Sequence, residues 1–516
     1  MKISNNSFNL SFEKLINKFK DFLEEESLDT CGYSSQILRD RLMQYVVEST
    51  IAPYGVEVDR LCNKNESCDP TSNTKINIGN AIIEVSTGRV TITCKQWLVN
   101  QFNFIKHWSF CLFSIFSVDF SIKNKLPATL LYGVGDESLF VEGNDERFWN
   151  YCRLGSVSPL LNRKYIYLES SRRSFISKSS QFRYCKRPLI SFLQESEIGL
   201  FGRFRLLNKH LALFFKYLYS SFSMPLLSLL GKEFAYSGIS FELDRLNLIE
   251  SIILTNSNYA SQPLWIRALN NAKTHMIWYS QNMKTIDLNS ENLKSNIPSL
   301  RWMRFDIHWV WTQSFSNYLN SIGICKDIKI VGPIVWYLPK ITHPEINKLK
   351  IIVFDVPPYS DQTALKFGEI SNYNHPKNML SFVRDVICMK SKLEKKFNIP
   401  ISIHLKAKRS CNSAYDQSYF DYIDELDATG VITQVHYSTN IYHLISSSNL
   451  AIVYPFSSPA YIADFVRVPA IFYDPTHSIS RYDFGDCDSL IEFENNPEDL
   501  FNTTELMLKR SIVESV

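Results

Sequence analysis

The stretch that decides the fold runs from Ile441 to Pro475 and reads IYHLISSSNLAIVYPFSSPAYIADFVRVPAIFYDP. Within it, Leu450 to Tyr454 is short and almost wholly apolar, which indicates a parallel strand covered on both faces. A polar turn with Ser457 and Ser458 follows, then a short helix and a second apolar strand. The stretch therefore predicts a strand–helix–strand unit, with a turn suited to binding phosphate at the carboxyl end of its first strand.

The alternation of strands and helices continues on both sides of this unit. It runs from residue 126 to 342 and, after a polar segment with two prolines, from 347 to 500. Residues 1–125 predict an accessory region of helices and a small antiparallel element, and residues 501–516 predict a C-terminal helix. We therefore predict an α/β fold of two Rossmann-like, doubly wound domains that face a cleft, preceded by the accessory region.

Composition narrows the class of protein. A chain of 516 residues is too long for one ordinary core, and 45% hydrophobic with 21% charged residues is a globular composition. The formal charge of +3, from 55 basic and 52 acidic residues, gives no reason to expect a nucleic-acid partner. The 11 cysteines are dispersed without zinc-ligand spacing, so we expect reduced thiols in a cytoplasmic protein and no metal site.

The most apolar segment is Trp108 to Val118. It is shorter than the roughly 20 residues that a membrane span needs. We interpret it as buried core rather than as an interfacial anchor.

Polar residues at predicted strand ends are the candidates for chemistry in the second domain. Asp355 follows the apolar strand Ile351 to Phe354 and precedes two prolines, so it is either a turn cap or a catalytic nucleophile or general base. His404 ends another strand and shares its loop with three cations, Lys406, Lys408 and Arg409, a pattern that favours anion binding. With Ser457, Ser458 and Tyr461 of the following turn and helix, His404, Lys406 and Lys408 form the predicted phosphate-binding group.

Amide-rich loops and tryptophans mark the first predicted domain. Asn256, Tyr279, Gln281 and Asn282 lie just after strands, and Asp306, His308 and Trp309 share one short segment. Indole rings that stack on sugars, beside amides and carboxylates, suit a carbohydrate cleft, and a core of aromatic residues is the alternative. We therefore assign Asn256, Tyr279, Gln281, Asn282 and Trp309 to sugar binding and add Asp306 and His308 to the catalytic candidates.

These motifs resemble a known class of enzyme. Asp355 at a strand end, His404-x-Lys406, Ser457-Ser458-Pro459 and Tyr473-Asp474-Pro475 are similar to the nucleotide-binding half of GT-B glycosyltransferases that build bacterial surface polysaccharides. The capsule and lipopolysaccharide enzymes that use CMP-activated sugars, including the retaining β-Kdo transferases, are the nearest in pattern, and the resemblance covers roughly residues 126–480.

The resemblance implies a metal-independent enzyme with no cofactor beyond its nucleotide-sugar substrate. Asp355 would be the nucleophile of a double displacement. The predicted phosphate-binding group, Ser457, Ser458 and Tyr461 with His404, Lys406 and Lys408, would bind the donor. The residues assigned to sugar binding in the first domain would bind the acceptor. Many GT-B enzymes carry a Glu in the helix after the phosphate turn, whereas the nearest acid here is Asp464, which leaves the nucleotide open.

The expected function is transfer of a sugar from a nucleotide-activated donor to a glycan or lipid-linked glycan acceptor of a surface polysaccharide or lipopolysaccharide. Two alternatives remain: a nucleotide-sugar epimerase or hydrolase of the same fold, and a non-catalytic glycan-binding assembly protein. Peripheral association with the inner face of the cytoplasmic membrane would suit a lipid-linked acceptor.

Overall fold

A computed structural model shows how these segments assemble. It describes residues 5–26, 28–47, 75–78, 81–84, 87–117, 127–133, 145–155, 166–169, 182–196, 198–255, 262–280, 302–321, 323–324, 326–334, 349–360, 363, 375–455, 457–477 and 489–514. The fold class predicted from the sequence is confirmed, since two parallel sheets are each flanked by helices.

The N-terminal region combines helices with a small antiparallel sheet, as predicted. Its helices are α1 (Asn5–Glu25) and α2 (Ser35–Val46), and its strands are β1 (Lys75–Ile78), β2 (Ala81–Glu84) and β3 (Val90–Thr91). A long helix, α3 (Cys94–Phe116), follows. This region shares one hydrophobic core with helices further along the chain, because Leu38 and Phe104 cluster with Tyr217 and Phe234.

The first parallel sheet has seven strands in the order β10-β9-β8-β7-β4-β5-β6. These strands are β4 (Ala128–Tyr132), β5 (Ile166–Glu169), β6 (Phe182–Cys185), β7 (Ile249–Thr255), β8 (Lys273–Ile277), β9 (Ile307–Val310) and β10 (Asp327–Ile330). The helices of this part are α4 (Asp145–Gly155), α5 (Pro188–Glu195), α6 (Leu200–Ser223), a 3-10 helix (Pro225–Leu230), α7 (Gly231–Arg245), α8 (Leu264–Arg267) and α9 (Gln313–Ser321). The strand order reverses between β4 and β7, so a ligand crevice is expected at their carboxyl ends.

The second sheet has six parallel strands in the order β13-β12-β11-β14-β15-β16. They are β11 (Leu349–Phe354), β12 (Ile401–Lys406), β13 (Thr433–Val435), β14 (Leu450–Val453), β15 (Ala470–Tyr473) and β16 (Ile491–Glu494). The helices α10 (Pro376–Phe397), α11 (Gln417–Ala428), α12 (Ile441–Ser446), α13 (Ser458–Phe465) and α14 (Pro497–Glu514) cover it. Every residue of β14 and β15 is buried, which is why their sequences show no polar alternation.

Local signals fix the helix ends around this second sheet. The side chains of Asp416 and Asn440 accept backbone N–H groups at the starts of α11 and α12. Asn398 ends α10 with a φ of 54°, a left-handed conformation that asparagine tolerates. The C-terminal helix α14 packs on α10 and on the β14–β16 side of the sheet.

The interpretation of Trp108 to Val118 as buried core is wrong for one face of that segment, and Val118 lies outside the described residues. Cys111, Ser114 and Ile115 are buried, but Phe113 and Phe116 lie on the opposite face of α3 and are largely exposed. One face of α3 packs on α7, and an apolar sequence that continues around a helix leaves the second face without that cover. Among the described residues, no helix is long and apolar enough to cross a membrane.

Candidate functional site

The carboxyl edge of the second sheet gathers the polar residues singled out in the sequence. Its strand order reverses between β11 and β14, and these two strands pair directly, with Phe354 opposite Val453. The Tyr454 N–H donates to the Phe354 carbonyl at 2.9 Å, which ties the two strand ends together. The segments that follow, beginning at Asp355 and at Pro455, therefore leave the sheet side by side at the place where such folds bind ligands.

Asp355 lies beneath this edge rather than at its surface. Only 2% of the residue is exposed, and both carboxylate oxygens are occupied. The Tyr419 hydroxyl donates to Oδ2, and the Lys408 N–H donates to Oδ1 at 3.2 Å. Burial raises the pKa of Asp355 to about 6, although the Tyr419 hydroxyl and the Lys408 N–H oppose this rise.

This geometry corrects the assignment of Asp355 as nucleophile. A nucleophilic carboxylate needs direct access to the carbon that it attacks. Asp355 has no such access, because it is buried and both of its oxygens accept hydrogen bonds from the protein. The alternative that the sequence left open, a carboxylate that holds a turn, describes the structure. Asp355 is a positioning residue that fixes the start of the cationic loop through the Lys408 backbone.

The three basic residues after β12 take different positions. Lys406 is buried in register with Phe354, and its Nζ donates to the Tyr437 carbonyl at 2.6 Å. Burial lowers the pKa of Lys406, while Asp355 opposes this shift. Lys408 and Arg409 are exposed, so they are the cations that the loop offers to a ligand. His404 is half-buried and pairs with Ile352, two residues below the strand end.

The serine turn starts a helix as predicted. Ser457 is the N-cap residue of α13, but its hydroxyl donates back to the Tyr454 carbonyl at 2.9 Å and caps no N–H of the helix. The hydroxyl of Ser457 therefore closes the turn, and Ser458 and Pro459, both half-buried, form the first positions of the helix. The Tyr461 ring packs edge-on against Phe472 at 5.7 Å between centroids, in contact with the core.

Two aromatic residues that sequence reasoning missed lie above the same edge. The rings of Tyr359 and Tyr415 stack at 5.2 Å with an interplanar angle of 10°, and their backbones form an antiparallel bridge. The Arg409 guanidinium donates to the Tyr415 hydroxyl at 3.0 Å, a hydrogen bond that raises the pKa of Arg409. The signal was the Pro357-Pro358-Tyr359 run, which places an aromatic ring just beyond the end of β11.

The structure contradicts the catalytic assignments of Asp306 and His308. Asp306 precedes β9 and therefore lies at the amino edge of the first sheet, where it accepts from Thr274 and pairs with Lys326 at 3.0 Å. His308 is fully buried inside β9, and its Nδ1 accepts the Trp278 indole N–H at 3.1 Å. Burial lowers the pKa of His308 to about 3, so the ring is neutral and enclosed.

Trp309 is also a core residue, which corrects its assignment to acceptor binding. It is fully buried and packs against Tyr151, His275 and the backbone of Gly155. Tyr279 is half-buried at the end of β8, against the same cluster. The other acceptor assignments, Asn256, Gln281 and Asn282, lie outside the described residues.

A pocket of about 370 Å³ opens elsewhere in this part of the protein, at the carboxyl ends of β4, β5 and β6. Four cations line it, against two carboxylates: Arg41, Lys186, Arg187 and Lys232, with Glu169 and Glu233. Glu233 is already paired with Arg41 at 2.6 Å, and Glu169 accepts the Gly133 N–H at 2.9 Å. Sequence reasoning missed this site because its cations come from three separate segments of the chain.

The pocket is short of negative charge. Burial, together with the neighbouring cations Lys232 and Arg187, lowers the pKa of His107 to about 4. Such a lining favours an acidic ligand. Among the described residues, no group of three or more His, Cys, Asp or Glu side chains is arranged to hold a metal ion.

Several solved structures are similar to this chain at low identity. S. aureus TarM in a complex that includes UDP is 12% identical, with a TM-score of 0.29 over 51% of this chain and 49% of that chain. A Glycosylation Associate Protein complex from Streptococcus agalactiae is 14% identical, with a TM-score of 0.32 over 56% of this chain and 54% of that chain. The α,α-trehalose-phosphate synthase (UDP-forming) from Burkholderia vietnamiensis is 10% identical, with a TM-score of 0.34 over 75% and 91%. The chain thus spans about half the length of the TarM and Streptococcus chains that it matches.

Sequence comparison is more informative. No curated protein matches the chain. Residues 211–500 match the family described as polysaccharide biosynthesis PFTS motif protein. Within that range the chain reads Pro-Phe-Ser-Ser at 455–458, which differs from the four letters of the family's name at one position. Of these residues, Pro455 and Ser457 lie between β14 and α13, and Ser458 begins α13. Because the match extends over more than half of the sequence, the chain belongs to the family of polysaccharide biosynthesis PFTS motif proteins.

Proposed function

We propose that the protein is a glycosyltransferase that moves a sugar from a nucleotide-activated donor to a polysaccharide precursor. The observation that carries this proposal is the switch point of the second sheet. There, the loop after β12 with Lys408 and Arg409 and the turn after β14 with Ser457 follow the two strands that flank β11, at the strand edge where doubly wound sheets bind nucleotides. Family membership in polysaccharide biosynthesis supports the substrate class.

The proposed roles follow from position. Lys408, Arg409 and the start of α13 would hold the donor phosphates, because cations and helix N-termini both favour anions. The stacked rings of Tyr359, which is half-buried, and Tyr415, beside Arg409, would adjoin the base or ribose. Asp355 and Ser457 would keep the two loops in place. In this arrangement the loop cations balance the charge of the departing nucleotide, which is a metal-independent form of the reaction.

Nucleotide affinity tests this part of the proposal. Calorimetry with CMP, CDP, UDP and GDP, with CMP and its sugar adducts as the first donor class, should show binding of one nucleotide. Lys408→Gln combined with Arg409→Gln should weaken that binding by about a hundredfold or more, since charge-assisted hydrogen bonds are worth roughly 1.5–3 kcal/mol each. Lys395→Gln, on an exposed lysine in the last turn of α10, is the matched control. Failure of the wild-type chain to bind any nucleotide would contradict the proposal.

We assign the acceptor to the cationic pocket at the first sheet. Its size suits a small headgroup or one to two sugar rings, and its charge favours an acceptor that carries a phosphate or carboxylate. We further propose that transfer takes place at the cytoplasmic face of the membrane on a lipid-linked precursor.

Acceptor kinetics test this assignment. Lys186→Gln with Lys232→Gln should raise the KM for the acceptor and leave nucleotide affinity unchanged. Lys273→Gln, at the opposite edge of the same sheet, should change neither quantity. Consumption of the donor at the same rate with and without acceptor would instead favour an epimerase or hydrolase of the same fold.

A further inference from the structure

Two helices of the first half expose an aromatic surface that the proposed reaction does not use. The outward faces of α3 and α6 carry Phe102, Phe113, Phe116, Phe204, Phe215 and Tyr219, each 62–78% exposed. We call this set the aromatic face. Isolated apolar residues are common on protein surfaces, but a contiguous aromatic patch on neighbouring helices marks a contact with another phase or molecule.

The aromatic face is part of a fixed structure. The helices α3 and α6 are antiparallel, because the Trp97 indole donates to the Ser221 carbonyl at 3.0 Å and the Trp108 indole donates to the His210 carbonyl at 3.1 Å. Both helices pack on α7, where Gly231 and Gly238 allow the close approach of Phe104 and His210. The inner faces are therefore filled, and the aromatic side chains cannot turn inward.

The charge of α3 and α6 indicates what kind of surface the aromatic face contacts. The 23 residues of α3 and the 24 residues of α6 contain no acidic residue and six basic ones, whereas the whole chain has 55 basic and 52 acidic residues. Arg205 and Lys209 are paired with Glu242 of α7. Lys95, Lys106 and Lys216 lie exposed on the outward sides of the two helices. An aromatic surface interspersed with lysines and free of carboxylates complements an anionic lipid surface.

Other occupants fit less well. Neither helix is apolar enough to span a bilayer. A second copy of the chain would bring lysines against lysines across the same surface, which is unfavourable without intervening acids. Peripheral insertion leaves the lysines at the headgroups and the aromatic rings below them.

We propose that the aromatic face docks the protein on an anionic membrane. The acceptor pocket lies at the rim of this face. His107 of α3 lines the pocket, and the Arg187 guanidinium, which also lines it, stacks on the Phe110 ring of α3 at 3.9 Å. Docking would therefore hold the pocket at the depth of the lipid headgroups. Membrane binding as such does not depend on the proposed glycosyl transfer.

Vesicle flotation of the full chain tests the proposal. The wild type should float with phosphatidylcholine vesicles that contain phosphatidylglycerol, and much less with phosphatidylcholine alone. Replacing Lys95, Lys106 and Lys216 together by Gln should weaken partitioning by about a hundredfold, because each basic residue near an anionic surface contributes roughly fivefold. The matched control replaces Lys273, Lys377 and Lys395 by Gln and should leave partitioning unchanged.

A second pair of variants tests the apolar part. Phe113→Ser with Tyr219→Ser should reduce flotation at low and high salt alike, whereas the loss in the lysine variant should fade as salt increases. Leu154→Ser with Leu506→Ser, on residues of similar exposure elsewhere, is the control. Circular dichroism should show the same helix content for all variants.

Two results would overturn the proposal. One is a wild-type protein that does not float with anionic vesicles. The other is a wild-type dimer, measured by light scattering, that dissociates on Phe113→Ser with Tyr219→Ser while vesicle binding is unaffected. That second result would assign the aromatic face to self-association.

Discussion

The protonation of Asp355 should make the stability of the protein depend on pH in a direction opposite to that of most paired carboxylates. Burial raises the pKa of Asp355 from 3.8 to about 6. The folded protein therefore binds this proton more tightly than the unfolded chain, so the stabilisation is fully present below pH 3.8 and is lost as the pH rises through 6. This rise in pKa corresponds to about 3 kcal/mol of stabilisation, of which about 2 kcal/mol is lost between pH 4.5 and 7.5.

Urea unfolding of the wild type and of Asp355→Asn at a series of pH values measures this effect. The variant cannot ionise at this site, so the difference in unfolding free energy between the two proteins should change by about 2 kcal/mol from pH 4.5 to 7.5, in favour of the variant at the higher pH. Tyr419→Phe is an independent arm. It removes a hydrogen bond that lowers the pKa of Asp355, so the loss of stability should move to higher pH.

Equal pH dependence of the wild type and Asp355→Asn would refute the reasoning, because it would mean that the carboxylate is solvated or that a partner stabilises its charge. The same pair of proteins tests its function. As a positioning residue, Asp355 acts through the Lys408 backbone. Asp355→Asn should then weaken nucleotide binding and lower the transfer rate in parallel, whereas loss of transfer with unchanged nucleotide affinity would restore its assignment as nucleophile.

Three further predictions concern packing and charge. A Cβ at Gly155 would overlap the buried indole of Trp309, so Gly155→Ala should lower stability by about 1–3 kcal/mol in urea unfolding, while Gly199→Ala, which meets no atom within 4 Å, should not. The carboxylate of Asp244 accepts three backbone N–H groups after α8, so Asp244→Ala should cost about 3 kcal/mol or more and Asp244→Asn less, a ranking that thermal melting checks. Burial raises the pKa of Asp306, but the Thr274 N–H and Lys326 outweigh this effect and lower the pKa overall. Asp306→Asn should therefore remove a stabilisation that is present near neutral pH and is lost as the pH falls. Urea unfolding that shows equal destabilisation of the variant at pH 3 and pH 7 would contradict this prediction.

The parallel sheets could be predicted because burial on both faces leaves a direct mark on a sequence. Leu450 to Val453 and Ile351 to Phe354 are runs without polar alternation, and each ends at a polar turn. Since all strands of such a sheet point the same way, their carboxyl ends share one edge. That is sufficient to predict that the residues after Phe354 and those after Tyr454 would be neighbours, as the structure shows.

The sequence could not show which residues at an edge face a ligand. Asp306 and Asp355 both adjoin strands, but one precedes its strand and the other follows it, and a shift of one residue in a predicted strand end changes which edge a side chain joins. Trp309 and His308 are aromatic and polar residues of a kind found in sugar clefts. Their complete burial depends on α4 and on Trp278, which are distant in sequence.

The aromatic face shows the reverse error: exposed residues of α3 were predicted to be buried core, whereas His308 and Trp309 are buried residues that were predicted to lie in a ligand site. Hydrophobicity alone cannot separate the two, because both a core helix and an interfacial helix are rich in phenylalanine. Charge can separate them. A helix that packs one face on the core usually carries both acidic and basic residues on its solvent-facing side. A long helix with lysines and no carboxylate is instead suited to a negatively charged partner. The absence of Asp and Glu from both α3 and α6 was visible in the sequence, and the structure adds that these two helices lie side by side. The acceptor pocket is also predominantly cationic and opens at the rim of the aromatic face. An anionic membrane bound to the aromatic face would therefore attract the pocket to the same surface.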